Sequence, residues 1–159
     1  MSGLSRSARR AQAAMAQLGF DAQIVEVPDT ARTAAEAAEA VGCELGQIAK
    51  SLVFRGPDDA PLIVITSGPN RADEAKVSAI AGGPVRMGDA DYVREHTGFA
   101  IGGVPPAGHP ERISAVIDED LLRYEVWAAA GNPRAVFPLS PQALIDLAGA
   151  RPADIAQRA

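Results

Sequence analysis

The sequence predicts a single α/β (α+β) domain: a mixed, strongly curved β-sheet with helices packed outside it. Three observations carry this. The chain has 159 residues, 47% of them apolar, which suits one compact domain over residues 1–159 with a sizeable core. Apolar, β-branched runs alternate with capped helical segments, but without the regular strand–helix–strand rhythm of a doubly wound sheet. The runs "KSLVFR" and "LIVIT" flank the strong turn signal "GPDDAP", so a hairpin interrupts any parallel order. Aromatic residues are only 4%, which leaves Ala, Val, Leu and Ile to fill the core.

The elements follow in order. Residues 5–18 form an amphipathic pattern stopped by Gly19. "DAQIVEV" predicts a short strand. Thr33 and Glu36 form a capping box that opens the helix "AAEAAEAV", and Gly42 closes it. After the hairpin, "GPNRADEAKVSAIAGG" is a loop leading into a helix that ends at Gly82, and "PVRM" is a short strand. Asp89 caps the helix "ADYVREHT", terminated by Gly98. "TGFAIGGVPPAGHPER", residues 97–112, is a long loop with a brief strand at its start. "ISAVID" and "YEVWAAA" are strands, "GNPR" is a turn, and "AVFPL" is a further strand whose Pro138 puts its end at an edge. Ser140 caps the last helix with Pro141 in its first position, and the tail from Arg151 is at most one weak helical turn.

Composition excludes several classes of function. No apolar run approaches the ~18 residues of a membrane span, and the N-terminal stretch is not of signal-peptide type, so a cytoplasmic protein without membrane contact is expected. Cys43 is the only cysteine, which fits a reducing compartment; it reads as a small buried hydrophobe. The net charge of −5 opposes broad, non-specific nucleic-acid binding but leaves room for a local basic patch. Two histidines and one cysteine without ligand spacing give no metal pattern, so no metal is expected. There is no G-x-S-x-G elbow, no P-loop and no G-x-G-x-x-G, so no cofactor is expected either. Ser67 reads as a turn residue, and His96 as a helix-terminal charge that favours the dipole.

What remains is a small set of unusual residues. The chain holds thirteen arginines and only two lysines, Lys50 and Lys76. A lysine kept where arginine is the default suits a place for a compact ammonium rather than a planar fork. In the 97–112 loop, Gly102, Gly103 and Gly108 allow positive φ and close approach of a ligand, while Pro105 and Pro106 hold the shape and His109 follows. Exposed N–H groups in such a loop can stabilise an oxyanion, one well-placed donor contributing about 3 kcal/mol. The same pattern also describes a rigid surface loop without a ligand. Asp118, in the acidic run "DEDLL", either caps a turn or joins a site.

Four segments, "TAAEAAEAVGCELGQIAKSLVFR", "VITSGPNRADEAK", "TGFAIGGVPPAGH" and "VWAAAGNPRAVFPLSP", occur in an order that resembles the YbaK/EbsC/ProX family, the prolyl-tRNA-synthetase-associated editing domains and their relatives. The resemblance covers roughly residues 20–150. It implies a barrel-like mixed sheet and hydrolysis of the ester that joins a wrong amino acid to the terminal adenosine of tRNA, on a Cys-tRNA(Pro)- or Ala-tRNA(Pro)-like substrate. The partners it implies are the tRNA acceptor end and prolyl-tRNA synthetase. The family's strand lysine matches Lys50, and its G-x-x-x-P loop matches Gly102 to Pro106, placing Gly103, Val104 and Pro105 beside the carbonyl and ribose, while Ile101, with Ile24, Val27 and Thr30, is expected to set the pocket's size. The second lysine matches Lys76, with Asn70 heading the same turn, and the glycine after the late strand matches Gly131. Lys50, Gly102, Gly103 and His109 are therefore the candidate catalytic residues. Asn70, Lys76, Ile101, Val104, Pro105, Pro106, Gly108, Asp118 and Gly131 are the candidate substrate contacts. His109 either orients a water, binds the adenine side or ties down the loop. Arg6, Arg9, Arg10, Arg55, Arg71 and Arg86 could make a local basic face. Two other readings stand beside the deacylase: a module that holds tRNA ends, a nucleotide or a synthetase without catalysis, and a hydrolase of a small activated acyl compound.

Overall fold

The structure, a computed structural model, describes residues 3–28, 30–31 and 33–158. Five helices and eight strands follow one another: α1 (Arg6–Ala16), β1 (Val25–Glu26), α2 (Ala34–Val41), β2 (Ile48–Arg55), β3 (Pro61–Ser67), α3 (Glu74–Ala81), β4 (Arg86–Met87), α4 (Ala90–Thr97), β5 (Ser114–Asp118), β6 (Val126–Ala129), β7 (Ala135–Leu139), α5 (Pro141–Ala148) and β8 (Arg151–Ala153). Short 3-10 turns lie at Leu45–Gln47, Pro57–Asp59 and Glu119–Arg123.

Local chemistry sets most helix ends. The Thr33–Glu36 capping box is formed, and the side chains of Ser5, Asp73, Asp89 and Ser140 accept from N–H groups in the first turns of α1, α3, α4 and α5. Each such cap satisfies a donor that would otherwise be orphaned and contributes about 1 kcal/mol.

The strands form one mixed sheet in the order β1-β7-β6-β2-β3-β5-β8, with β4 added against β2. The β2–β3 hairpin pairs along its whole length, from Ala49 opposite Ser67 to Arg55 opposite Pro61. β6–β2, β3–β5 and β5–β8 are parallel, and the remaining pairs are antiparallel. Side-chain alternation divides the hairpin into two faces. Ala49, Val53, Ile63 and Ile65 face the main core, which also takes in Ile117 of β5 and Phe137 of β7, Ala8, Ala11 and Met15 of α1, Val93 of α4 and Leu144 of α5. Phe137 and Ile117 belong to strands separated by three others, so the sheet wraps around this core. Phe54, Leu62 and Val64 face a smaller core with Val77 of α3 and Ile155.

Three expectations change. Residues 97–112 contain no strand: a tight turn at Ala100–Gly103 is followed by two prolines, which offer no ladder donors. The tail is not helical. Residues 151–153 form β8, parallel to β5 with Val116 opposite Arg151, and Ile155 behind it is fully buried. β1 is only two residues long. It covers β7 at Ala135 and Val136, so Pro138 lies where that strand has β6 alone as neighbour.

Candidate functional site

β2 sits at a split in the sheet. Its one edge pairs with β3 throughout, but its other edge meets β6 only at Ile48 and Ala49 and β4 only at Phe54 and Arg55. Between them, Lys50 to Val53 face no strand. The Val53 carbonyl accepts from the Gly88 N–H at 2.9 Å, so it points to this open edge, and alternation turns the backbone of Ser51 the same way. A cavity of about 240 Å³ fills the split, walled by β2, the start of α2, Met87, Gly88, Val93, Ile101, Gly102 and Val104, with Pro133 and Val136 also lining it. Its surface is mostly apolar. Met87 and Ile101 stand at it with 47% and 54% of their surface exposed.

Lys50 is the charged side chain among the described residues that line this cavity. It is half-buried and makes no hydrogen bond or ion pair with any described residue. Burial first, and the nearby Arg71 guanidinium second, hold its pKa below the ordinary lysine value. Beside it, the hydroxyl of Ser51 is buried without a hydrogen-bond partner among the described residues.

The 101–104 wall is shaped by a turn. The Gly103 N–H donates to the Ala100 carbonyl at 3.0 Å, and Gly102, third in the turn, has φ +90°. This is the geometry of a type II turn, which calls for glycine at that position. It leaves the Gly102 N–H without a partner among the described residues. Gly103 then lies against the 131–134 turn. Its carbonyl accepts from the Gly131 N–H at 2.8 Å, and a Cβ on Gly103 would stand 2.5 Å from Asn132 Cα. The Asn132 amide donates to the hydroxyls of Ser5 and Ser7, and a Cβ on Gly131 would stand 2.2 Å from the Ser7 carbonyl oxygen. The cavity wall is thus mounted on a turn, and the turn on the start of α1.

The structure brings Lys50, Ile101, Gly102 and Val104 together in the cavity. Gly103, Pro105, Pro106, Gly108 and Gly131 stand behind the wall rather than on it. His109 lies outside the cavity as well. Its Nε2 is 2.8 Å from the Pro105 carbonyl, which can only accept, so Nε2 carries the proton and ties the loop to itself. Burial pushes its pKa below the usual histidine value. Asn70, Lys76 and Asp118 do not line this cavity. The fully buried Asp118 accepts from the Ser67 N–H at 3.1 Å and from the Asn70 side-chain amide at 2.8 Å. Lys76 binds both carboxylate oxygens of Asp154 at 3.0 Å and the Ala156 carbonyl at 2.8 Å. These three fix the turn at 67–73 and the C-terminal segment. The arginines are held at different elements: Arg10 lies on Gly98 and the Phe99 ring, Arg55 and Arg86 are strand partners, and Arg71 stands near Lys50.

Sequence reasoning missed Ser51, Met87 and Pro133 as parts of the cavity. Ser51 had a signal: it is a polar residue at an inward position of an apolar strand. Met87 and Pro133 had none, because only the tertiary fold carries them to the split. Among the described residues, no group of three or more His, Cys, Asp or Glu side chains could hold a metal ion, and no helix is long and apolar enough to cross a membrane.

Comparison with known proteins agrees with this architecture. The uncharacterized protein YwhH of Bacillus subtilis is 34% identical over 122 residues, which is 76% of this chain and 78% of that protein. EbsC of Enterococcus faecalis, named "Putative Cys-tRNA(Pro)/Cys-tRNA(Cys) deacylase", is 27% identical over 125 residues, 77% of this chain and 76% of that one. A crystal structure described as that of "a putative trans-editing enzyme for prolyl tRNA synthetase" is 51% identical, covers 98% of this chain and 100% of its own, and superposes with a TM-score of 0.95. The aminoacyl-tRNA editing domain family matches residues 28–147, three quarters of the chain, and the chain belongs to that family.

Proposed function

We propose that the chain is a trans-acting aminoacyl-tRNA deacylase, which hydrolyses the ester between a small amino acid and the terminal adenosine of a mischarged tRNA. The substrate class is Cys-tRNA(Pro)- or Ala-tRNA(Pro)-like, the error of prolyl-tRNA synthetase. The observation that carries this reading is the Lys50 ammonium, half-buried and without a partner among the described residues, at an apolar cavity walled by Ile101, Gly102 and Val104.

An aminoacyl ester is already activated, so positioning and an oxyanion acceptor matter more than a protein nucleophile. A water oxygen attacks the ester carbonyl carbon, and the carbonyl oxygen takes the negative charge. The C–O bond to the ribose then breaks, a proton released by the attacking water passes to the ribose oxygen, and the free amino acid leaves. The uncommitted Gly102 N–H is suited to the developing oxyanion, and one such donor contributes about 3 kcal/mol to the transition state. Lys50 is suited to a phosphate or ribose oxygen as a point charge. The apolar wall of Val53, Val93 and Val104 is suited to an apolar or small side chain rather than a charged one.

The test is a panel of charged tRNAs incubated with the purified protein in excess, following ester loss. The reading expects acceleration on at least one mischarged pair and none on correctly charged Pro-tRNA(Pro). Lys50→Ala should abolish that acceleration while the far-ultraviolet spectrum stays unchanged. Binding of tRNA with an unchanged or lengthened ester half-life across the whole panel would replace this reading with a non-catalytic one.

A further inference from the structure

Lys50 also borders a second cavity, of about 470 Å³, on the other side of the β2 edge, walled by Leu52, Phe54, Asn70, Arg71, Met87 and others. We infer that Arg71 and this cavity form a subsite for the phosphate on the 5′ side of the terminal adenosine, so that the tRNA strand leaves the active site across the β2–α3 groove. The inference rests on the deacylase reading and adds the path of the nucleic acid to it.

The argument starts from how the Arg71 backbone is held. The Arg71 carbonyl accepts from the Gln157 N–H at 2.8 Å. The preceding Asn70 amide donates to Asp118 and Asp120, each at 2.8 Å. The following Ala72 pairs with Ala156, and the Asp73 N–H donates to the Ile155 carbonyl at 2.7 Å. Every neighbour of Arg71 is therefore bonded to the C-terminal segment or to the 3-10 turn after β5. The guanidinium itself makes no hydrogen bond or ion pair with any described residue. It stands close enough to Lys50 to disfavour that ammonium.

Two like charges meet on one cavity, Lys50 from β2 and Arg71 from the 67–73 turn, and they repel each other until an anion arrives. An arginine fork with a lysine beside it matches a phosphate, the fork through paired N–H donors and the ammonium through charge. Glu74 is the carboxylate on this wall. It is exposed, as Arg71 is, so water screens both, and the wall carries two cations to its one carboxylate among the described residues. Leu52, Phe54 and Met87 supply the apolar floor beside the two cations. Asn70 and Lys76 gain a purpose here: they bond to the protein because they hold the turn that presents Arg71.

The experiment titrates the full chain with adenosine and with adenosine 5′-monophosphate by calorimetry at low salt. The wild type should bind the monophosphate about tenfold more tightly, the scale of one charge-assisted contact. Arg71→Gln should lose most of that gain and bind adenosine as the wild type does. Arg71→Lys should keep part of it. Arg71 is exposed and its side chain bonds to nothing described, so an unchanged melting temperature is expected of both variants. An unchanged preference for the monophosphate in Arg71→Gln overturns the subsite. A parallel loss of adenosine binding overturns it too, since the residue would then be shaping the pocket. If the wild type deacylates a charged tRNA and the subsite arm fails, only the path of the strand is wrong. If the wild type binds neither nucleotide and deacylates nothing, both readings fall.

Discussion

Lys50 carries a stability signature as well as a functional one. Its pKa is held down by burial and then by Arg71, so the folded chain gives up this proton at a lower pH than the unfolded chain does. Between the two values the unfolded state binds more protons, and this group's contribution to stability rises with pH. Below that window the ammonium is charged in both states and its burial cost is fully present. Lys50→Met removes the charge and keeps the stem. At neutral pH the variant should melt at or above the wild-type temperature, and the gap should shrink as the pH approaches the ordinary lysine value. Thermal melts of both proteins across the alkaline range give the answer. A variant less stable than the wild type at neutral pH would mean that the ammonium has a stabilising partner. The sequence singled out Lys50 because lysine is rare in this chain and because the motif around it resembles the editing family. It singled out His109 on the same grounds of rarity, yet that ring is hydrogen-bonded to the Pro105 carbonyl behind the cavity. Rarity marks a residue with a specific task; it does not say whether the task is chemistry or support. Arg71 shows the reverse: one arginine among thirteen, unremarkable until the fold sets it beside Lys50.

The loop, the 131–134 turn and the start of α1 form a stack, and two adjacent glycines report on different layers of it. Gly102 needs a positive φ but has room: a Cβ there would meet only Pro133 Cγ, at 3.3 Å. Gly102→Ala should cost about 1 kcal/mol of stability through the strained dihedral, while tilting the turn and lowering deacylation. Gly103 is limited by contact instead. A Cβ there would stand 2.5 Å from Asn132 Cα and 2.7 Å from its nitrogen, both backbone atoms that cannot step aside. Gly103→Ala should cost about 3 kcal/mol and push the whole wall away from its support. Denaturant melts separate the two; equal losses would mean that the stack is looser than the distances indicate. The same contrast explains what could be read in advance. Helix caps and the β2–β3 hairpin depend on residues within a few positions of one another, and their signals in Thr33–Glu36, Asp89, Ser140 and "GPDDAP" match the elements found. β8 depends on the free edge of β5, more than thirty residues upstream, and the split beside Lys50 on where β4 and β6 stop. No window of sequence contains those facts. The resemblance to a known family supplied the sheet's character, which spacing alone left at mixed and curved.

At the scale of the molecule, an acidic chain of net charge −5 is proposed to act on a polyanion. Much of its positive charge is already spent inside the protein: Arg55 pairs with Asp59, Lys76 with Asp154, Arg158 with Asp120 and Asp154, and Arg10 donates to the Gly98 carbonyl. What faces the proposed strand path is Lys50 and Arg71, so the electrostatic footprint covers one or two phosphates. Each phosphate neutralised on a single strand releases counterions and contributes a slope of about −0.7 to the plot of log affinity against log salt. The expected slope for acceptor-end binding therefore lies between about −0.7 and −1.4. This is shallow beside that of proteins which grip a duplex through many contacts. Such a contact would be brief, as suits an enzyme that must sample many correctly charged tRNAs and release them. Measuring kcat/KM on a mischarged tRNA between low and physiological salt yields the slope directly. In Arg71→Gln it should fall by about 0.7, toward zero if a single phosphate carries the effect. A wild-type slope steeper than about −4 would require several more cations on the tRNA. The arginines of α1 and of the β2–β4 pair would then have to belong to the same binding face, and the narrow path across the β2–α3 groove would be wrong.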